Sequence, residues 1–282
     1  MTTVLRYAAF TSSPDGGNPA GVVLDAAGLD DAAMQRIAAE VGYAETAFLT
    51  EASVGGDPRR SRVRYFSPIA EVPFCGHATV AAAIALAGRD GAGALDFDTP
   101  VGPVSIATTT VDGVLTAAFT SVEPSVAEID DAVLDALLTL IDRSRDDLHP
   151  GYPPRLSFAG NVHPVLVFAT RDAFDTFEFD PAAMRAVMDE QGWAGTVTTL
   201  REVAAGEYEA RNLFPVGVIT EDPATGSAAA SVGGYLRHLG LVEPPARVVI
   251  HQGAHVGRPS LLTVDIPAAG GIVVSGTAVE IV

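Results

Sequence analysis

Lysine is absent from this 282-residue chain, and all 17 of its basic residues are arginine. Without lysine there is no Schiff-base chemistry of the pyridoxal-phosphate or aldolase kind, and no phosphate-binding P-loop. Positive charge is scarce altogether. Against 35 acids the formal net charge is −18, which disfavours nucleic acid and anionic membranes as partners. Solubility or genome composition accounts for the same charge without any mechanism. One cysteine, Cys75, excludes an internal disulfide and a thiolate metal cluster within one chain. His149, His163, His238, His251 and His255 show no metal-ligand spacing with acids or with that cysteine, so no metal is predicted. Long apolar runs are missing too. The longest, Ala78 to Ala87, falls well short of the roughly 20 residues that span a bilayer. From Met1 to Arg6 the chain passes into alternating, strand-like sequence without the apolar core of a signal peptide, so the expected compartment is the cytoplasm.

Apolar residues make up 48% of the chain and aromatics only 7%, a composition for a well-buried globular protein. The length suits two domains of about 140 residues each better than one core. The chain is organised around two glycine turns. Pro73-Phe74-Cys75-Gly76-His77-Ala78-Thr79 opens into the alanine-rich run Val80 to Ala87, and Asp222-Pro223-Ala224-Thr225-Gly226-Ser227 opens into Ala228 to Leu236. Each pattern predicts a helix whose first turn presents unpaired backbone N–H groups and the positive end of its dipole. Two such ends facing one another would form a pocket for a small anion such as a carboxylate.

The turns also look duplicated. Arg64-Tyr65-Phe66-Ser67-Pro68 precedes the first and Arg211-Asn212-Leu213-Phe214-Pro215 the second, so strand, loop, glycine turn and apolar helix recur in the same order. The run Ala78 to Ala87 is apolar all round, which predicts enclosure by a sheet. Asp30 is positioned to cap a helix carrying Met34, Ile37, Ala38 and Val41 that stops at Gly42. Amphipathic spacing predicts a second helix from Asp130 to Ile141, and Asp180-Pro181 predicts the start of a third. Strands are expected at residues 4–10, 22–24, 44–49, 62–66, 104–108, 114–119, 156–158, 164–169 and 208–214, and through the tail from 248. The stretch Asp142 to Arg155 reads as a surface connector, and the domain switch is placed near residues 116–128.

Glu45 is the candidate acid/base, because Ala44, Thr46, Ala47 and Phe48 would desolvate its carboxylate and raise its pKa. The alternative is a solvated glutamate at a strand end. His77 is a candidate hydrogen-bonding partner of a substrate, or else a cap or a satisfied buried histidine. Asp222 and Ser227 are either substrate contacts or helix caps, and Cys75 is either a proton-transfer thiol or an inert buried cysteine.

Gly-Asn-Pro-Ala-Gly at 17–21, Ala-Glu-Thr-Ala-Phe at 44–48, Pro-Phe-Cys-Gly-His-Ala-Thr at 73–79 and Glu-Asp-Pro-Ala-Thr-Gly-Ser-Ala-Ala at 221–229 together resemble the PhzF-like (phenazine biosynthesis) isomerase family. The resemblance implies an α+β, diaminopimelate-epimerase-like fold. In that fold two similar lobes each curl a mostly antiparallel, barrel-like sheet around a central apolar helix, with the active site in the cleft between them. The lobes are expected at 1–116 and 117–271, and the resemblance implies that the final strand, about 272–282, returns to the first. The family's acid/base glutamate falls on Glu45. Its substrate-contacting histidine, aspartate and serine fall on His77, Asp222 and Ser227, and Asn18, Gly76 and Gly226 complete the expected substrate-binding set. No cofactor is implied, and a homodimer is usual.

Related racemases face two thiols across the substrate. Here Thr225 occupies the second thiol's place, and its hydroxyl is too weak an acid for that role. The expected activity is therefore a cofactor-independent isomerase of a small carboxylate-bearing substrate, worked by one carboxylate. Its rivals are a thiol-based dehydratase or epimerase-like enzyme that uses Cys75, and a non-catalytic small-molecule-binding protein. The substrate itself is not legible in these motifs.

Overall fold

The computed structural model describes residues 2–216 and 219–282. They divide into two compact units, one running to Thr120 and rejoined by Ser275–Val282, the other Ser121–Val274. In chain order the first unit contains β1 (Leu5–Ala9), β2 (Asn18–Val23), α1 (Asp31–Val41), β3 (Glu45–Ala52), β4 (Arg60–Phe66), β5 (Glu71–Val72), α2 (Gly76–Asp90), β6 (Ala94–Thr99), β7 (Gly102–Val111) and β8 (Val114–Thr120). The second contains β9 (Ser125–Glu128), α3 (Asp131–Leu140), β10 (Arg155–Phe158), β11 (Val162–Val167), α4 (Arg171–Asp175), α5 (Pro181–Gln191), β12 (Val197–Ala204), β13 (Glu207–Leu213), β14 (Glu221–Asp222), α6 (Gly226–His238), β15 (Ala246–Gln252) and β16 (Ser260–Ile266). The last strand, β17 (Val273–Glu280), belongs to the first unit from Ser275 onward.

In the first unit the sheet closes on itself. β1 pairs antiparallel with β2, β2 parallel with β3, β3 antiparallel with β4, β4 parallel with β6, and β6, β7 and β8 follow antiparallel. β17 joins β8 to β1 and completes a ring of eight strands. Closure gives each of these eight strands a partner on both sides. Inside the ring lies α2, which packs against β1, β2, β3, β7 and β8. Its residues from His77 to Ala87 are all buried, which is why this helix is built from alanine and a few branched residues: every face meets the sheet.

The second unit repeats this pairing order from β10 to β16. β10 pairs antiparallel with β11, β11 parallel with β12, β12 antiparallel with β13, β13 antiparallel with β14 and parallel with β15, and β15 antiparallel with β16. β9 pairs with β10 as β17 does with β1. α6 packs against β9, β10, β11 and β16, and here closeness is set by glycine. A Cβ on Gly233 would lie 2.7 Å from Ile272 Cγ2 and 2.9 Å from Val264 Cγ1, and one on Gly234 2.5 Å from Pro124 Cβ.

The helix ends follow their expected chemistry. Asp30 Oδ1 accepts the Ala33 N–H, and Gly42 ends α1 in the left-handed region at φ 70°. Asp130 and Asp180 cap α3 and α5, with Pro181 at the first position of α5. In the second unit, α3 and α5 cover a core of Leu134, Leu137, Leu138, Phe174, Met184, Met188 and Trp193. The stretch Asp142 to Arg155 is more than a surface connector. Tyr152 is buried there, its hydroxyl donates to Glu202, and Leu148 bridges to Phe168.

Two glycine substitutions should move stability in opposite directions. Gly233→Ala forces a methyl against two stiff β-branched side chains and should cost about 1–3 kcal/mol. Gly88→Ala, in an exposed turn of α2 with its nearest neighbour 4.0 Å away, should stabilise by about 0.5–1 kcal/mol. Chemical denaturation of the two variants beside the wild type checks both signs.

Candidate active site

The register of the two units aligns their residues one to one. Phe66 pairs with Glu71 as Leu213 pairs with Glu221. Counting from these pairs sets Arg64 against Arg211, Cys75 against Thr225, Gly76 against Gly226 and His77 against Ser227. Thr46 pairs with Phe66 as Val197 pairs with Leu213, so the residue before each strand pair sets Glu45 against Thr196. The duplicated frame therefore carries an acid at this position in one unit and a hydroxyl in the other.

In the first unit Glu45 opens β3, and Cys75 is the N-cap of α2 with no side-chain cap bond. The parallel pairing of β2 with β3 brings Glu45 opposite Ala20. Glu45 Oε2 lies 3.4 Å from His77 Nε2 and 3.5 Å from Cys75 Sγ. His77 Nδ1 lies 3.1 Å from Asn18 Nδ2 and 3.3 Å from Cys75 Sγ. Because the Asn18 amide nitrogen only donates, Nδ1 accepts, and the ring proton sits on Nε2 towards Glu45. Burial pushes the His77 pKa from 6.5 down to about 3. The contact with Glu45 thus joins a neutral imidazole to a carboxylate and is not an ion pair. Beneath it Tyr65 donates to Thr79 Oγ1 (2.7 Å), and Thr79 donates to the Cys75 carbonyl (2.7 Å), which anchors the turn from inside the barrel. The ligand atoms of Glu45, Cys75 and His77 all lie within 4.8 Å of one another, so these are the residues able to approach a common ion, although Sγ lies near both ring nitrogens, at 3.3 and 3.8 Å.

In the second unit Asp222 ends β14, Thr225 is the N-cap of α6, and Gly226 and Ser227 open the helix. The Thr225 hydroxyl donates to Asp222 Oδ2 at 2.5 Å. Gln252 clamps the turn: its Nε2 donates to the Asp222 carbonyl at 2.6 Å, and its Oε1 accepts the Thr225 N–H at 3.1 Å. Ser227 Oγ lies 3.1 Å from His163 Nε2. One residue before Asp222, Glu221 is held by Arg211 in a buried pair (2.6 Å) whose guanidinium also stacks 3.6 Å from the Phe177 ring and donates to the carbonyls of Phe174 and Phe177. Arg64 and Glu71 form the corresponding pair in the first unit at 2.7 Å.

The structure therefore gathers Asn18, Glu45, Gly76 and His77 at the start of α2, and Asp222, Gly226 and Ser227 at the start of α6. Gln252 and His163 were not singled out for these roles by sequence. Gln252 stands next to a glycine in the strand-rich tail, and His163 was weighed only as a metal ligand. The one cue available for His163 was its place in β11, the counterpart of the strand that carries Asn18.

Both buried histidines should stay neutral. Burial also lowers His163, to about 4. Since these folded-state values lie below the unfolded one near 6.5, the unfolded chain takes up protons first. Their contribution to stability is complete above about pH 6.5 and is lost as pH falls towards 4 and 3. Ring C–H resonances of His77 and His163 should hold one chemical shift from pH 8 to pH 5, while the unfolding midpoint drops below pH 6.5. A midpoint near 6.5 for either ring would contradict the assignment.

Comparison with known proteins identifies the family. The family model described as phenazine biosynthesis-like protein, PhzC-PhzF, matches residues 7–282. An uncharacterized isomerase of Mesorhizobium japonicum is 34% identical over 95% of this chain and 91% of its own length. The trans-2,3-dihydro-3-hydroxyanthranilate isomerase of Pseudomonas fluorescens is 31% identical over 90% of this chain and 86% of its own. A crystal structure of a Bacillus anthracis phenazine biosynthesis protein of the PhzF family superposes with a TM-score of 0.86 at 26% identity, covering 100% of this chain and 97% of that one. With its family signature extending from β1 to the last residue and its two buried helices opening at the glycine turns, the chain belongs to the PhzC-PhzF family and is an isomerase with a diaminopimelate-epimerase-like fold.

Proposed function

We propose that the enzyme moves a proton on a small, carboxylate-bearing substrate by single-base catalysis at Glu45, without a cofactor. The observation that carries this reading is the asymmetry of the duplicated frame. The second unit has Thr196 where the first has Glu45, and Thr225 where the first has Cys75, so neither proton-transfer candidate of the first unit has a matching acid in the second. A threonine hydroxyl does not exchange protons usefully near neutral pH, and the Thr225 hydroxyl donates to Asp222. Two-base racemisation is thereby disfavoured, and a base that takes a proton and returns it to another atom of the same substrate is favoured.

In this scheme Glu45 breaks a C–H bond adjacent to the conjugated system of the substrate, and the electron pair moves into that system. The carboxyl, after its proton exchanges with solvent, then delivers a proton to a second carbon, so that one C–H bond is exchanged for another and the substrate's composition is unchanged. His77, neutral and with its proton on Nε2, orients the Glu45 carboxylate by hydrogen bonding. The first-turn N–H groups at Gly76 and Gly226, with Asp222 and Ser227, bind the substrate's carboxylate and polar groups. The substrate named for the P. fluorescens relative, trans-2,3-dihydro-3-hydroxyanthranilate, carries a ring and a carboxylate of the kind this scheme uses. We extend the proposal to a cyclic carboxylic acid as substrate class, to the cytoplasm as compartment and, from the family resemblance, to a homodimer.

A second reading makes Cys75 the base, favoured by its contacts at 3.5 Å with Glu45 and 3.3 Å with His77. Steady-state kinetics on a panel of cyclic carboxylic acids that includes trans-2,3-dihydro-3-hydroxyanthranilate separate the two. Glu45→Gln should lower kcat by about 10²–10⁴-fold with little change in KM, and Cys75→Ser should leave kcat within a few-fold of wild type. The reverse pattern would transfer the role to the thiol.

A further inference from the structure

Ser227 is reached by a buried histidine whose protonation pattern the fold dictates. His163 is fully buried. The backbone N–H of Thr196, itself buried, donates to His163 Nδ1 at 3.0 Å. Nδ1 also lies 3.1 Å from the Thr196 carbonyl and 3.0 Å from Thr196 Oγ1, so two arrangements compete. A proton on Nδ1 would point at the Thr196 N–H and orphan that buried donor, which is costly. A proton on Nε2 satisfies the N–H, and the Thr196 and Thr198 hydroxyls remain committed to Asn212 Oδ1 at 2.8 and 2.7 Å. The need to satisfy the buried N–H favours the second arrangement, which directs the Nε2 proton at Ser227 Oγ, 3.1 Å away.

The backbone is cut to fit this ring. A Cβ at residue 195 would sit 2.8 Å from His163 Cε1, 2.9 Å from Nδ1 and 2.4 Å from the Val162 carbonyl. Only glycine lets the chain close over the imidazole and present the Thr196 N–H to it. Asn212, Thr196, Thr198 and Gly195 thus form a support whose single outward element is the His163 Nε2 proton.

We infer that His163 is a positioning residue that turns Ser227 into a one-way hydrogen-bond donor, selecting an anionic oxygen at the N-terminus of α6. With a lone pair of Oγ occupied by His163, the Ser227 hydroxyl proton is directed to a ligand. The second residue of the helix then offers a ligand its O–H beside open backbone N–H groups, and all of these are donors. This donor set favours a carboxylate, while the Asp222 carboxylate in the same turn has its Oδ2 engaged by the Thr225 hydroxyl. The role in substrate binding rests on the function proposed above, whereas the tautomer does not.

The wild-type protein with ¹⁵N-labelled histidine tests the inference without any ligand. Long-range ¹H–¹⁵N correlation should show His163 neutral at pH 7 with its proton on Nε2, and Ser227→Ala should shift that proton's resonance. The Nδ1-protonated pattern, or a resonance indifferent to Ser227→Ala, would overturn it. For the binding role, KM for trans-2,3-dihydro-3-hydroxyanthranilate should rise about tenfold or more in His163→Leu, with kcat less affected. His163→Gln, which restores a donor, should recover most of the loss, and adding His163→Leu to Ser227→Ala should change little. Additive losses, or no rescue by glutamine, would reduce His163 to a packing residue. If the wild type does not turn this compound over, the substrate assignment fails while the NMR result still decides the tautomer.

Discussion

Everything in this fold follows from burying a helix on all its faces. A single sheet face cannot cover α2, so the strands must close around it, and closure requires the chain's last strand to return beside β1. Once the helix is enclosed along its length, its start is where backbone N–H groups remain open to a ligand. The chain reaches that start through a two-stranded corner, β4 to β5 or β13 to β14, that leads straight into the glycine turn. An arginine–glutamate pair pins each corner. The position of the reactive groups is thus a consequence of enclosure. Gly76 and Gly226 stand at the helix starts, each directly after its N-cap residue.

Duplication then supplies two similar frames, and function lies in how they differ. Strand pairing sets Glu45 against Thr196 and His77 against Ser227. In the first frame a carboxylate faces a neutral imidazole. In the second, a buried imidazole supports a hydroxyl, and a carboxylate, Asp222, takes the hydrogen bond of the threonine that stands where the first frame has its cysteine. At the equivalent positions the first frame offers a carboxylate for the proposed proton transfer, and the second offers hydroxyls.

Much of this was legible in the sequence. The all-round apolar character of Ala78 to Ala87 announced enclosure, the capping residues Asp30, Asp130 and Asp180 placed three helices correctly, and the repeated order of strand, turn and helix announced two lobes. What escaped notice was short or non-local. Ala94–Thr99 alternates as a strand should, but it sits between glycine-rich turns that hid it. β9 has only four residues and β12 follows a glycine bend, so neither stood out. The support of Ser227 could not be read at all, since His163, Thr196 and Asn212 meet only through strand pairing and each is unremarkable in its own neighbourhood. Cys75 drew attention as the lone thiol, whereas its contacts with Glu45 and His77 show it as part of a group.

The central claim is that one carboxylate carries the proton. The most direct test is turnover in D₂O with the position of the label read by NMR in the isolated product. Glu45 exchanging with solvent between removal and return should place deuterium at the reprotonated carbon alone, and the Glu45→Gln protein should show no incorporation while remaining folded. Deuterium entering at the same carbon with Glu45→Gln would contradict the account.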